Sequence, residues 1–314
     1  MIAQRDAFLD DLFFKAKSDK DIILISVDMG APSIDKWRQQ LSDQFFDMGI
    51  SEQNAINFAS GLARGGKKVF VYFMAVWVMR CFEQIRYSSV MANNKITILG
   101  NGVGLGYAPA GPAHETSEDV GVMKTLHGIN IWSPSSSESI PYIVNECMSS
   151  SMTNYVRLER KSHSLVSYSP DSVNSNQLIT EFKCDNEKGV LTILTYGFVA
   201  GIALEAGKRI SNDYDTTVNV VDLQKIWPLP ETLILELAEK SNGMIVLEEQ
   251  SLNGGISESV SHILIRCKNL INFKNISLPS KYIFENGTRE QLLENYGLSV
   301  KNVVRLSHDM MVTN

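Results

Sequence analysis

The stretch ISEQNAINFASGLARGGKKVFVYFM, residues 50–74, decides the fold. Ile50, Ala55, Phe58 and Leu62 recur at roughly helical spacing, and the run stops at Gly65-Gly66. Glycine is the residue that a helix C-terminus favours. KKVFVYFM (67–74) follows directly and is apolar on both alternating faces, which predicts a strand covered from above and below. Glu52 is the one carboxylate in the stretch, at a place where burying a charge is costly. Two readings of it stay open: a capping-box acid at the helix start, beside Ser51, or an acid kept in a dry pocket for chemistry.

The same alternation extends outward from this unit. Upstream, residues 3–17 predict a helix and DIILISVD (21–28) a buried strand. Downstream, helix 78–93, strand 95–101, the Gly/Pro/Ala loop GVGLGYAPAGPAH (102–114), helix 117–127, strand 129–135, helix 137–150 and strand 154–160 follow. Apolar strands alternating with helices predict an α/β fold with a parallel sheet. The first domain is therefore expected over 1–165, and a Ser/Asn/Pro-rich linker over 166–188. A second, smaller α/β domain is expected over 189–314, with strands 190–197, 218–223 and 243–249, helices 199–211, 230–240 and 254–266, and a closing pair around NISLPS and helix 288–297.

Composition bounds the function. A chain of 314 residues is long enough for two domains. Its net charge of -6 and pI near 5.5, without a basic patch, argue against a nucleic-acid partner. No apolar run reaches the roughly 18 residues that cross a bilayer. The acid-bearing start MIAQRDAFLDDLFFKAK is not a signal peptide, so no membrane association and a cytoplasmic location are expected. Cys81, Cys147, Cys184 and Cys267 lie far apart and read as reduced thiols. The five histidines form no metal-binding pattern, so no metal site is expected on this chain.

In open parallel sheets ligands bind beyond the carboxyl ends of the strands. Asp28 follows the first predicted strand, Phe73 and Trp77 the second, the loop ending at His114 the third, and Arg160 the last. Each has a plainer reading: helix cap for Asp28, core for Trp77, loop hydrogen-bonder for His114, surface ion pair for Arg160. GVGLG (102–106) is not a dinucleotide fingerprint, because Tyr107 stands where its third glycine would fall.

GISEQN (49–54), FMAVWVMRCFEQIR (73–86), GPAHETSED (111–119) and YVRLER (155–160) resemble, in order and spacing, the second half of the transketolase family. LTYGFVAGIALEAGKRI (194–210), VVDLQKIWPLP (220–230) and IVLEEQSLNGGISESV (245–260) resemble that family's C-terminal domain. The resemblance implies a thiamine-diphosphate pyrimidine-binding domain followed by a transketolase C-terminal domain. The family's diphosphate-binding half is missing, and no Gly-Asp-Gly occurs. The resemblance therefore implies a larger partner subunit carrying the diphosphate and Mg2+ ligands, in an α2β2 heterotetramer.

Residue by residue, Glu52 matches the family glutamate that hydrogen-bonds the cofactor's pyrimidine N1′ and so allows the 4′-imino tautomer that removes the C2 proton. Trp77 takes the place of an aromatic stacked on the pyrimidine, and Phe73 is expected to help line the pocket. Met29, beside Asp28, matches the apolar residue under the bent cofactor. His114 matches a substrate-facing histidine. Arg160 matches an arginine that binds a substrate phosphate, with Arg5 as a second. Ala110, four positions before His114, replaces an aspartate that binds a donor hydroxyl. Arg80 stands where transketolases of central metabolism have an aromatic and deoxyxylulose-phosphate synthases have arginine.

The implied activity is transfer of a two-carbon ketol unit from a ketose to an aldose, with Ala110 pointing to an unusual sugar in a specialised pathway. Two alternatives stay open. One is a beta subunit of a 2-oxoacid dehydrogenase, or a decarboxylase like deoxyxylulose-phosphate synthase. The other is a non-catalytic structural subunit.

Overall fold

Two mostly parallel sheets frame the molecule in the computed structural model, which describes residues 2–161, 175–183, 189–267 and 271–312. The strands are β1 (Ile22–Ser26), β2 (Phe45–Asp47), β3 (Lys68–Met74), β4 (Ile96–Asn101), β5 (Ile129–Trp132), β6 (Thr153–Leu158), β7 (Gln177–Phe182), β8 (Val190–Thr195), β9 (Thr217–Leu223), β10 (Lys225–Trp227), β11 (Gly243–Ser251) and β12 (Asn272–Leu278). The longer helices are α1 (Gln4–Ala16), α2 (Pro32–Gln40), α3 (Glu52–Arg64), α4 (Ile140–Ser149), α5 (Ala200–Tyr214), α6 (Glu231–Lys240), α7 (Ile256–Leu264), α8 (Arg289–Asn295) and α9 (Val300–Val312). The first sheet runs β10-β5-β6-β4-β3-β1-β2, parallel except for β10. The second runs β12-β11-β8-β9-β7, parallel except for β7.

The unbroken apolar strands are explained by cover on both faces. In β1, Ile23 and Ile25 join one buried cluster with Ala55, Ile56 and Ala59 of α3, while Ile22 and Leu24 join another with Phe8, Leu9 and Leu12 of α1. β3 divides likewise: Val69, Val71 and Phe73 face α3, and Phe70 and Tyr72 face α1. Each fully buried aliphatic contributes roughly 1.5–3 kcal/mol, so tertiary burial sets this pattern more than local propensity does.

The two sheets meet at their carboxyl ends. The amide of Ser133, after β5, donates to the Gln224 carbonyl after β9 (2.8 Å), and the Ser251 amide at the end of β11 donates to the Ser117 carbonyl (2.8 Å). Gly121 and Gly254 pass so closely that a Cβ on Gly121 would lie 3.0 Å from the Gly254 Cα. β10, from the second half of the chain, completes the edge of the first sheet.

Several elements differ from the sequence expectation. The helix expected over 78–93 is a 3-10 turn (Ala75–Val78), a short α-turn (Phe82–Gln84) and a π-turn (Ile85–Met91). The wide turn buries Ser89, whose hydroxyl bonds the Asn94 carbonyl and the Thr153 hydroxyl. The helix expected over 117–127 shrinks to Asp119–Met123, because Glu118 takes the Ser117 amide and hydroxyl and Asp119 is committed to Arg157. Residues 177–182, within the expected linker, form β7; residues 162–174 and 184–188, with Cys184, lie outside the described residues. α2, β2 and α9 carry no expectation from the sequence. Among the described residues Cys81 and Cys147 are buried free thiols, and no helix is long and apolar enough to cross a membrane.

Candidate active site

β6, β4, β3, β1 and β2 are successive neighbours. Arg160 follows β6, the His114 loop follows β4, Trp77 follows β3, Asp28 and Met29 follow β1, and Glu52 opens α3 after β2. Five connections thus leave one edge of one sheet, the edge that faces the second domain.

Glu52 is 5% exposed at the first position of α3. The capping-box reading fails on two counts. Ser51 accepts no cap hydrogen bond, its hydroxyl donating instead to the Met48 carbonyl at 2.7 Å. A reciprocal acid belongs three positions after the cap, not one. Among the described residues the one side-chain donor near the carboxylate is Arg80, a long 3.5 Å from Oε2, and Arg80 is itself half-exposed. The Arg80 guanidinium lies 5.2 Å from the ring of half-buried Trp77. A buried carboxylate with one stretched contact, near a half-buried indole, fits a planar heterocycle that brings a hydrogen-bond donor.

A second group joins His114 to Arg160 through Tyr107. The Tyr107 and His114 rings are 6.1 Å apart, and the Arg160 guanidinium sits 4.2 Å from the Tyr107 ring centroid. Tyr107 is held by the Asn101 amide, which donates to its hydroxyl at 3.1 Å. Among the described residues His114 Nδ1 is buried without a hydrogen-bond partner, which leaves it able to take one from a ligand. Arg160 makes no ion pair among the described residues and lines a cleft of about 220 Å³ with Leu105, Pro109 and Thr288.

Other expected residues stand apart. Phe73 has no exposed surface and, by its position on β3, packs in the apolar cluster with α3. Asp28 is exposed with φ 51°, and its amide donates to Asp47; the cap of α2 is Ala31, so Asp28 does not cap it. Met29 is half-buried against the α1 cluster. Arg5 is paired with Asp6 at 2.8 Å, while its amide donates to the Glu159 carbonyl, next to Arg160. The sequence reading missed Tyr107 as the ring between His114 and Arg160. It also missed Arg289, which binds Glu159 and Glu249; no sequence signal singled out Arg289.

Glu115, after His114, is buried with Oε1 unpartnered, and burial pushes its carboxyl up to about 7, helped by Glu118, Glu285 and Glu249. A raised carboxyl binds its proton in the folded chain over a range where the unfolded chain has lost it. Stability from this group is therefore present at acid pH and falls as pH rises from about 4.5 through 7, by on the order of 3 kcal/mol. Glu115→Gln flattens that fall, and urea titrations at pH 5.5 and 8 measure it; an unchanged difference between the two pH values refutes this.

This arrangement defines an α/β protein of two mostly parallel sheets, with the candidate residues on connections that leave the carboxyl ends of the first. The family profile of the transketolase pyrimidine-binding domain matches residues 1–190, and that of the transketolase C-terminal domain matches 180–303. The chain belongs to the transketolase family. An apulose-4-phosphate transketolase subunit from Phocaeicola vulgatus is 28% identical, over 97% of this chain and 96% of its own. The 6-deoxy-6-sulfo-D-fructose transketolase subunit SqwH of a Clostridium species is 26% identical, over 98% and 94%. The solved structure of a split-gene transketolase, an inactive beta4 tetramer, superposes with TM-score 0.86 at 26% identity, covering 99% of both chains. Against 1-deoxy-D-xylulose-5-phosphate synthase of Acinetobacter baumannii the identity is 24%, and the match spans 47% of that enzyme.

Proposed function

We propose that this chain is the smaller subunit of a two-component, thiamine-diphosphate-dependent transketolase that moves a two-carbon ketol unit from a ketose to an aldose. The observation that carries this reading is Glu52: a buried carboxylate whose one side-chain hydrogen bond among the described residues is a long one to Arg80, the arginine that also lies over half-buried Trp77. Bound thiamine diphosphate supplies the carbanion equivalent and the electron sink for C–C cleavage. Glu52 holds a proton at the pyrimidine N1′, where the low-dielectric site favours the shared hydrogen bond. Trp77 stacks on the ring, and Met29 supports the cofactor from the neighbouring connection. His114 moves protons at the substrate oxygens through the ring nitrogen that has no internal partner. Arg160 binds a terminal anion, with Arg5 near its backbone.

The substrate is an unusual sugar. Ala110 is exposed in the turn before His114 and cannot accept the bond that an aspartate would. The two full-length relatives are named for apulose 4-phosphate and a sulfofructose. The larger subunit brings the diphosphate and Mg2+ ligands, the pair assembles as α2β2, and the complex works in the cytoplasm.

Mixing the chain with a partner that carries Gly-Asp-Gly should give ketol transfer only when both subunits, thiamine diphosphate and Mg2+ are present. Transfer by the single chain refutes the split reading. Arg80 and the synthase relatives favour a second reading, decarboxylation of a 2-oxoacid; carbon dioxide release from pyruvate by the complex would establish it. Calorimetry of the isolated chain should show no magnesium-dependent binding of thiamine diphosphate at micromolar concentration, because the diphosphate ligands reside elsewhere. Tight binding there contradicts the proposal.

A further inference from the structure

We infer that Arg289, from the C-terminal domain, is the residue that positions Arg160 for the terminal oxyanion of the sugar. The inference rests on the proposed transketolase function. Arg289 is 11% exposed in its side chain and holds two buried carboxylates at once. Its Nη1 and Nη2 donate to Glu159 at 2.6 and 2.8 Å, and its Nε and Nη2 donate to Glu249 at 2.8 and 2.6 Å. Its guanidinium also lies 3.9 Å from the Phe198 ring centroid. A planar fork that engages two carboxylates is rigid in a way that a lysine would not be.

Two supports of Arg160 lead back to this guanidinium, beside the Arg5 amide and the Gln4 side chain that hold the Glu159 backbone. The first is the backbone: Glu159 directly precedes Arg160, and its side chain is gripped by Arg289. The second is the ring on which Arg160 rests. Tyr107 belongs to the turn after β4, and Glu249 anchors that turn by accepting the Leu105 amide at 2.8 Å. Gly104 lets the acid approach: it has φ +57°, and a Cβ there would lie 2.5 Å from the Glu249 carboxyl carbon. Arg289 thus sets the path of the chain into Arg160 and, through Glu249, the aromatic surface under it. Arg289 lines the same cleft but is engaged by two protein carboxylates; Arg160, without an ion pair among the described residues, is the inferred ligand of the anion.

The test uses the reconstituted two-subunit complex with one aldose acceptor offered with and without its terminal phosphate. Arg289→Met should raise KM for the phosphorylated acceptor by about 10- to 100-fold, the cost of displacing a binding group by around 1 Å. It should leave KM for the unphosphorylated acceptor within about threefold and kcat for both nearly unchanged; Arg289→Lys should recover part of the loss. Hydrogen exchange of the isolated chain gives a readout without activity: amides of 102–106 and 158–161 lose protection in Arg289→Met while those of β1 keep theirs. Arg289→Met strands two buried acids, so Glu249→Leu is the second variant. It keeps a balanced Arg289–Glu159 pair and should free 102–106 alone. Equal losses on both acceptors, an unchanged KM for the phosphorylated one, or unaltered exchange overturns the inference. If the wild-type complex shows no ketol transfer, the functional reading fails while the exchange result still decides what Arg289 holds.

Discussion

Glu52→Ala should lower ketol transfer by the reconstituted complex by about 10²- to 10⁴-fold, the usual contribution of a positioned acid–base group. It should leave the fold intact. The carboxylate's one side-chain donor is a half-exposed arginine at 3.5 Å, so its removal deletes a buried charge that the protein hardly compensates. Alanine is a good helix former, and the melting temperature should stay level or rise. Loss of activity without loss of stability is what separates a functional acid from a structural one. Glu52→Gln sharpens the test. The amide keeps the shape and can still accept a hydrogen bond, but it cannot share a proton with a ring nitrogen, so it should fall nearly as far as alanine. Turnover within threefold of wild type for either variant would make Glu52 a structural residue and return the chain to the non-catalytic reading.

The fold was legible wherever burial on both faces forced a continuous apolar strand, as in β1, β3 and β4. It was illegible where long-range partners overrode the local signal. Gln177–Phe182 looks like linker because its own residues are mixed; it becomes a strand by pairing antiparallel with β9 at an edge, where one face meets solvent. Phe82–Met91 has helical periodicity, but Ser89 is drawn to Thr153, and the turn widens to allow it. For the site, the order of strands was enough to bring Trp77, the His114 loop and Arg160 to the ends of neighbouring strands; Glu52 was singled out by its motif, and the strand before it, β2, was not foreseen. Phe73 is still inside β3, where side chains alternate, and its parity sends it into the cluster packed on α3. Arg289 was invisible because its partners lie 130 and 40 positions away in sequence, and nothing in a local pattern pairs them.

The same long-range chemistry governs the seam, and Arg157→Met should expose it. Arg157 is 3% exposed; its Nε and Nη2 donate to Asp119 at 2.8 and 3.2 Å, its Nη1 to the Ser133 hydroxyl at 3.1 Å, and its Nη2 to Gln250 of the second sheet at 3.2 Å. Burial alone would pull the guanidinium toward neutrality; Asp119 more than offsets this and keeps it charged. Methionine fills most of the volume but leaves Asp119 with the Tyr155 hydroxyl as its remaining side-chain donor, at 2.7 Å. Stranding one member of a buried ion pair costs about 3–5 kcal/mol, or a fall of roughly 5–8 °C in Tm for a chain of this size. The melt should remain a single transition, because Val120 and Met123 share an apolar cluster with Leu194, Val221 and Met244 across the seam. Adding Asp119→Leu should return about half of the loss, since the uncompensated charge is gone while Gln250, whose Nε2 already lacks a partner, still misses its donor. A loss under 1 kcal/mol in the single variant, or no recovery in the double, would show that the two domains are held by their apolar contacts and not by this pair.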